Sequence, residues 1–401
     1  MIFSTKKLKL VSLFLLTAAC SFGQSNTSAL LPLPNHIEQV TGKKNFTITP
    51  QTTVKTNLPK QAFCLFELQR ILRNRVGQPA IMGGFTASGN SLIELSTDPG
   101  IKGKEHYILD ISENKVSIKG ATQDALFYGL KTLDQILLGD VCNTANKQIA
   151  PIRIDDEPRF GYRALMLDPA RHFLPVEDVK FYIDQMAKYK YNVLQLHLTD
   201  DQGWRVEIKK HPGLTETGAF RNPQTGPNGP DNSYYTQQQL KALIRYAADR
   251  NVEIIPELDI PGHTVAVLAT YPELGCTHTD TIQKIMGKTV DLMLCANNDK
   301  VYTVYDDVIK EIAELFPSSK IHLGGDEAVI EKNWTKCDRC QSLMKQLGYT
   351  KESQLMNYFF DKILASVRKY GKEPGLWCEI DNIRMPANEY VFDYPKDATL
   401  I

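Results

Sequence analysis

The chain has 401 residues, of which 42% are hydrophobic and 23% are charged, as in an ordinary globular protein. Lysine plus arginine and aspartate plus glutamate are equal at 46 each, so the chain offers no basic surface for nucleic acid. Nucleic acid is therefore not expected as a partner, and the length suits two or three domains.

Residues 1–23 are typical of an export signal. A basic start is followed by an apolar stretch, Leu10–Ala19, that is too short to span a bilayer. Cleavage after Gly23 would release a soluble periplasmic or extracellular protein. Alternatively, Cys20 follows two alanines and resembles a lipoprotein acceptor, which would anchor the chain at a bacterial surface. No later stretch is apolar and long enough for a spanning helix, so none is expected.

Residues 24–151 are predicted to form a small α+β domain. Apolar residues at helical spacing predict one helix around Ala62–Leu72 and a second over Gln123–Leu138. Short stretches of strand-forming residues between turns predict strands at 45–50, 52–57, 91–96, 106–111 and 114–120. A polar stretch follows the second helix, and the domain boundary is placed after residue 151.

Residues 152–401 alternate predicted strands with predicted helices, which indicates parallel βαβ units. The strands are predicted at 163–168, 192–198, 252–259, 320–325 and 375–380, and the helices at 177–190, 236–250, 302–316 and 352–370. Polar residues follow each strand, as on the active face of a (β/α)8 barrel. A doubly wound sheet would place its site at one switch point, and no G-x-G-x-x-G follows a strand.

The predicted fold class is therefore α/β, a (β/α)8 TIM-type barrel preceded by the small α+β domain. Only five barrel strands are recognisable, with a sixth beginning at residue 398. A closed barrel needs eight strands. The barrel is therefore expected to be incomplete, with its C-terminal strands missing from a truncated chain.

Two adjacent acids, Asp326 and Glu327, follow two glycines at the end of a predicted strand in HLGGDEA. Successive side chains of a regular strand point to opposite faces, so adjacent acids cannot serve one pocket unless the backbone departs from the strand. The glycines permit that departure. Glu327 is predicted to donate a proton to a leaving oxygen, and Asp326 to orient and stabilise charge. The alternative is an acidic loop or helix N-cap.

Three further motifs bring polar groups to predicted strand ends: LDPARH with Arg171, HLTDDQGWR with Asp200, and PELDIPGH with His263. Trp204, in the second motif, could pack against a sugar or simply fill the core. Aspartates and histidines are plentiful, but no H-E-x-x-H or similar spacing supports a metal site. No metal is therefore expected among these motifs.

The cysteines allow structural pairs or free thiols. Cys276 and Cys295 could close a loop, and an exported protein can form disulfides. Cys337 and Cys340 form a C-x-x-C pair in CDRC. A zinc site is weakly indicated, because no second C-x-x-C or H-x-x-H pair accompanies this one.

The four motifs, in this order behind a small α+β domain, resemble glycoside hydrolase family 20, the β-N-acetylhexosaminidases. The resemblance implies that Glu327 is the general acid/base and that Asp326 orients the substrate's 2-acetamido group. It implies that Arg171 holds sugar hydroxyls, and that Asp200 and His263 support the pocket.

The resemblance also implies that Trp377 is one wall of the acetamido pocket, with Glu379 beside it. Further aromatic and acidic residues of the family come from later barrel strands, after residue 401.

The activity implied by the resemblance is the removal of terminal non-reducing GlcNAc or GalNAc from a glycan, with retention and without cofactor or metal. In that mechanism the substrate's acetamido oxygen is the nucleophile and forms an oxazolinium intermediate. One protein carboxyl then suffices at the glycosidic oxygen, and its neighbour can serve the acetamido group. The alternative is a non-catalytic carbohydrate-binding relative or an inactive fragment.

Overall fold

The computed structural model describes residues 30–77, 80–84, 91–138, 147–220, 232–276, 292–377 and 399–400. The chain divides into two compact units, Met1–Glu157 and Pro158–Ile401. No helix among the described residues combines the length and apolar character needed to cross a membrane.

The elements of the first unit are β1 His36–Gln39, β2 Phe46–Ile48, β3 Thr53–Thr56, α1 Phe63–Val76, β4 Ile81–Gly84, β5 Leu92–Thr97, β6 Tyr107–Ser112, β7 Lys115–Gly120, α2 Gln123–Leu138, β8 Lys147–Ile149 and β9 Ile152–Asp156. Within the described residues, seven of these strands form one sheet in the order β1-β9-β6-β7-β5-β3-β4. Helix α2 buries an apolar face, with Leu126, Leu130, Leu133 and Leu137 inaccessible to solvent.

Strand β9 moves the boundary between the units. The sequence placed that boundary after residue 151, but β9 pairs antiparallel with β1 and β6 of the first sheet. Its alternating buried residues belong to that sheet, and the first unit ends at Glu157. The polar stretch that suggested a boundary after residue 151 ends inside β8 and precedes β9.

The second unit contains a sheet in the order β10-β11-β14-β15-β16-β17, which has six parallel strands within the described residues. These strands are β10 Ala164–Leu167, β11 Val193–His197, β14 Glu253–Glu257, β15 Lys320–His322, β16 Glu373–Leu376 and β17 Thr399–Leu400. Every residue of β11 is buried, as expected of a parallel strand covered on both faces. The prediction of parallel βαβ units is confirmed.

Amphipathic helices follow the strands of this sheet. The described helices are α3 Val176–Lys188, α4 Gly213–Glu216, α5 Gln237–Ala248, α6 Val265–Thr270, α7 Asp299–Leu315, α8 Asp338–Leu347 and α9 Glu352–Lys369. Helix α5 shows the local cause, because Thr236 and Gln239 form a capping box and Leu240, Leu243 and Ala247 are buried at helical spacing.

Shorter elements, which the sequence did not predict, lie near the strand ends. A small hairpin pairs β12 Thr199–Asp200 with β13 Gly203–Trp204. Single 3₁₀ turns occupy Pro272–Leu274, Ile330–Lys332 and Trp334–Lys336. Helix α8 was also not predicted.

Candidate active site

Three polar residues end neighbouring strands of the parallel sheet at one level. His197 ends β11, Glu257 ends β14 and His322 ends β15, and the register pairs His197 with Glu257 and Glu257 with His322. All three side chains are buried. The sheet therefore places a carboxylate between two imidazoles.

Glu257 is the centre of this buried layer. Its Oε2 accepts a hydrogen bond of 2.7 Å from Gln195 Nε2, and its Oε1 accepts one of 2.9 Å from Trp377 Nε1. Burial acts to raise the pKa of Glu257, but the adjacent His197 and His322 hold it well below its ordinary value. Glu257 is therefore an anion that fixes the groups around it.

Asp200 connects this layer to the predicted site residues. Its Oδ2 lies 2.8 Å from His197 Nε2 and 2.8 Å from Arg171 Nη2, and its Oδ1 lies 3.4 Å from His263 Nδ1. Burial acts to raise the pKa of Asp200, and hydrogen bonds from the two histidines lower it overall. Asp168 holds the other side of the Arg171 guanidinium, with Nη1 at 2.8 Å from its Oδ2.

His263 lies between Asp200 and the adjacent acids. Burial acts to lower its pKa, but the hydrogen bond to Asp200 and the surrounding acids raise the pKa of His263 to about 10. Its Nε2 lies 3.9 Å from Asp326 Oδ2 and 3.5 Å from Glu327 Oε2. Both carboxylates thus approach one nitrogen of a cationic imidazole.

The backbone of the GGDE segment makes this convergence possible. Gly324 and Gly325 have φ values of 63° and 105°, and Glu327 has a φ of 49°. A Cβ on Gly324 would lie 1.9 Å from Asp259 Oδ1, and that oxygen accepts a 3.1 Å hydrogen bond from the Gly325 N–H. The expectation that the glycines break strand alternation is confirmed, and Asp259 holds the resulting turn.

The adjacent acids differ in exposure. The side chain of Glu327 is 75% exposed, whereas that of Asp326 is 28% exposed. Glu327 is thus accessible to a group arriving from solvent, and Asp326 lies deeper.

Trp377, which the sequence predicted as a pocket wall, lies beside this segment. Its backbone N–H donates a 3.0 Å hydrogen bond to Gly324 O, and its ring centroid is 4.5 Å from that of His322. Glu379, also predicted, lies outside the described residues. Trp204 is a core residue, since it is fully buried and its Nε1 donates to Val206 O at 2.6 Å.

Sequence reasoning placed His197, Glu257 and Asp259 among the polar residues at the strand ends but gave them no role. It gave none to His322. A signal for three of them is present, because each strand ends in a polar residue followed by leucine: LHL, PEL and IHL. In each triplet the polar residue stands at the end of its strand. Pairing of the adjacent strands then brings His197, Glu257 and His322 together.

Two family descriptions match the chain. Residues 160–399 match the catalytic domain of glycosyl hydrolase family 20, and residues 27–157 match domain 2 of that family. The chain belongs to glycosyl hydrolase family 20. This result confirms the resemblance found in the sequence motifs.

The family 20 chain is similar to several curated proteins. It is 36% identical over 362 residues to a beta-hexosaminidase of Porphyromonas gingivalis, covering 88% of this chain and 45% of the relative. It is 34% identical over 364 residues to a beta-hexosaminidase of Vibrio furnissii, covering 88% of this chain and 57% of the relative. The chain thus spans about half the length of these relatives.

Solved structures agree with this assignment. A family 20 exo-beta-N-acetylglucosaminidase from Vibrio harveyi, in complex with N-acetylglucosamine, superposes with a TM-score of 0.77 at 33% identity, covering 94% of this chain and 57% of that one. A beta-N-acetylhexosaminidase from Streptomyces coelicolor superposes with a TM-score of 0.75 at 30% identity. The match covers 93% of this chain and 69% of that one. The fold is a TIM-barrel catalytic domain preceded by a small domain. That the barrel is incomplete stays a prediction.

Proposed function

We propose that this chain carries the catalytic site of an exo-acting β-N-acetylhexosaminidase. It would remove terminal non-reducing GlcNAc or GalNAc from glycans, with retention, by a substrate-assisted route through an oxazolinium intermediate. The observation that carries the proposal is the convergence of Asp326 and Glu327 on His263 Nε2, at 3.9 and 3.5 Å.

This convergence suits a substrate that supplies its own nucleophile. Two carboxyls that flank a scissile bond in the usual retaining scheme lie about 5 Å apart on opposite sides of it. Neighbours on one turn approach from one side, so one of them serves the glycosidic oxygen and the other serves an adjacent group. The more exposed Glu327 is the proton donor, and the deeper Asp326 receives the acetamido N–H and offsets its developing charge.

Arg171 is proposed to bind the sugar hydroxyls. Asp168 and Asp200 hold its guanidinium from two sides at 2.8 Å, while the side chain remains 40% exposed. A guanidinium fixed in this way presents donors in a set geometry at little further entropic cost. Asp200 and His263 are proposed to support the pocket, Trp377 to form part of its wall and Glu379 to lie beside it.

The comparisons support the substrate class. The Vibrio harveyi neighbour is an exo-acting acetylglucosaminidase bound to N-acetylglucosamine, and the curated relatives are beta-hexosaminidases. The proposed chemistry needs neither cofactor nor metal, since the acetamido oxygen is the nucleophile and two carboxyls handle proton and charge.

The direct test is release of nitrophenol from the N-acetyl-β-glucosaminide and from the matching β-glucoside. We expect hydrolysis of the first only, because the glucoside has no acetamido group. The assay is run on the 401-residue chain and on a version extended to eight barrel strands. Failure of both forms to cleave the acetamido sugar, with both folded, would contradict the proposal.

We also propose that residues 1–23 direct export, to the periplasm or the exterior, with Cys20 as the alternative lipid-anchored start. Cell fractionation with radiolabelled palmitate separates the two forms. Palmitate label that is lost in Cys20→Ala indicates the lipid anchor. An unlabelled chain cleaved after Gly23 indicates the soluble form. An uncleaved chain in the cytosol contradicts export.

A further inference from the structure

Four cysteines of the second unit lie together, apart from the polar network described above. Each of Cys276, Cys295, Cys337 and Cys340 offers a sulfur within 4.8 Å of the other three. They come from three separate segments. Cys276 follows the 3₁₀ turn at 272–274, Cys295 lies in the segment before α7, and Cys337 and Cys340 lie at the start of α8. Three of the four residues are buried, and Cys276 is partly buried.

The distances between the sulfurs are those of a metal-centred tetrahedron. Cys276 Sγ lies 3.8 Å from Cys340 Sγ, and Cys295 Sγ lies 3.9 Å from Cys337 Sγ and 3.6 Å from Cys340 Sγ. Zinc–sulfur bonds of about 2.3 Å in tetrahedral geometry require sulfur separations of about 3.8 Å. A disulfide requires about 2.05 Å between one chosen pair. Cys295 is nearly equidistant from two partners, which a common central ligand explains and a disulfide does not.

We propose that these four cysteines bind one Zn²⁺ as a structural tetrathiolate site. The C-x-x-C pair at Cys337 and Cys340 supplies two ligands, as in many four-cysteine zinc sites. The sequence contains no second short motif beside this pair, but the fold supplies the other two sulfurs from Cys276 and Cys295. Binding releases the thiol protons, and four thiolate sulfurs in tetrahedral array favour zinc among the common divalent ions.

Groups around the sulfurs are arranged as supports for such ligands. The backbone N–H of Asn297 lies near the sulfurs of Cys295 and Cys340, and Arg339 places a positive charge near Cys295. Asn297 Nδ2 donates to Arg339 O at 2.7 Å, and Arg339 Nη2 donates to Gly275 O at 2.5 Å. N–H donors and a nearby cation stabilise thiolate charge, and these bonds also join the three segments.

The zinc site would restrain two segments of the candidate active site, the one that carries His263 and the one that carries Glu327. The functional meaning of this restraint rests on the proposed function. Leu294, next to Cys295, donates its N–H to Pro261 O at 3.0 Å, two residues before His263. Trp334, three residues before Cys337, donates its Nε1–H to Leu294 O at 2.8 Å. The segment that follows Glu327 is thereby tied to the segment that carries His263. The cysteines would act as positioning residues, not as catalytic ones.

Metal analysis of the purified protein tests the proposal independently of hydrolase activity. We expect about one zinc per chain, four thiols that react with a thiol reagent only after chelation, and sulfur-to-metal charge-transfer bands after replacement by Co²⁺. Metal-free protein with disulfides among these cysteines in non-reducing peptide maps would overturn it. Iron at the same stoichiometry would overturn the assignment to zinc.

Cys337→Ser and Cys64→Ser form the matched pair of variants. Cys64 is also buried, but it lies in the first unit, where its Sγ donates to Gln123 O at 3.3 Å. We expect at least a tenfold loss of zinc affinity in Cys337→Ser and full stoichiometry in Cys64→Ser. Equal zinc content in both variants would contradict the proposal. If Cys337→Ser does not fold, the cobalt spectrum of the wild-type protein still decides.

Discussion

Glu257 and Glu327 are two glutamates at the same end of the parallel sheet, and their surroundings are opposite. Glu257 is fully buried, receives hydrogen bonds from Gln195 and Trp377, and lies between two histidines. Glu327 is 75% exposed on a residue with φ of 49°. Regular strand pairing fixes the position of Glu257. Glu327 is accessible because the backbone departs from the regular strand before it. The comparison separates residues that hold the site from residues that meet a substrate.

Glu327→Gln gives the largest expected effect on the exposed side of this comparison. Loss of the proposed general acid should lower kcat/KM about 10²–10⁴-fold on substrates with poor leaving groups. Substrates with good leaving groups should lose less, since they need less protonation. Steady-state kinetics across a leaving-group series measures both. Glu331→Gln, a neighbouring exposed glutamate, is the control, and equal losses across the series would contradict the role of Glu327.

Glu257→Ala tests the buried side. Removing this carboxylate leaves the Gln195 amide and the Trp377 indole N–H without their acceptor. It also removes the negative charge that lies 3.1 Å from His197 Nδ1, and breaking a buried ionic network typically costs about 3–5 kcal/mol. We expect that loss in the free energy of unfolding, measured with urea. Glu327→Gln should change the same quantity by less than about 0.5 kcal/mol, as exposed substitutions do. Similar losses in both variants would remove the distinction between the two glutamates.

Sequence reasoning gave roles to Asp326 and Glu327 on the exposed side of the comparison and gave no role to Glu257 on the buried side. Asp326 and Glu327 stand in one recognisable motif, and Arg171, Asp200 and His263 stand in three others, so local patterns were enough. The contact of Glu257 with His322 depends on strand register across 65 residues of chain, which no local pattern carries. The same limit applies to Cys276, whose neighbour Cys340 is 64 residues away.

Arg171→Ala tests a residue with features of both glutamates, because the Arg171 side chain is paired with buried Asp200 and is also 40% exposed. Loss of charged hydrogen bonds to sugar hydroxyls should lower kcat/KM about 10–100-fold, equivalent to about 1.5–3 kcal/mol. Thermal melting and a binding titration are measured together. A lower melting temperature with unchanged affinity would make Arg171 a structural partner of Asp168 and Asp200 only.

Asp201→Asn should give the smallest effect, with a definite sign. Burial and the adjacent Asp200 raise the pKa of Asp201 to about 6. Folding therefore favours the protonated form, so this residue's contribution is fully present below about pH 4 and lost as pH rises through about 6.

A neutral amide at position 201 avoids that loss. We expect Asp201→Asn to stabilise the protein by roughly 1–3 kcal/mol at pH 8 and much less at pH 4. Unfolding curves at the two pH values measure the difference. Equal changes in the free energy of unfolding at pH 4 and pH 8 would show that burial does not raise the pKa of Asp201.

The most direct test of the account is inhibition by a thiazoline analogue of the oxazolinium intermediate, compared between the wild-type protein and Asp326→Asn. A site built to stabilise that intermediate binds its mimic tightly, and the amide removes the carboxylate that we propose to face the ring nitrogen. We expect strong inhibition of the wild type, a sharp loss of inhibition in Asp326→Asn, and no covalent adduct with a 2-fluoro sugar. A glycosylated aspartate or glutamate found by mass spectrometry, with no inhibition by the thiazoline, would contradict it.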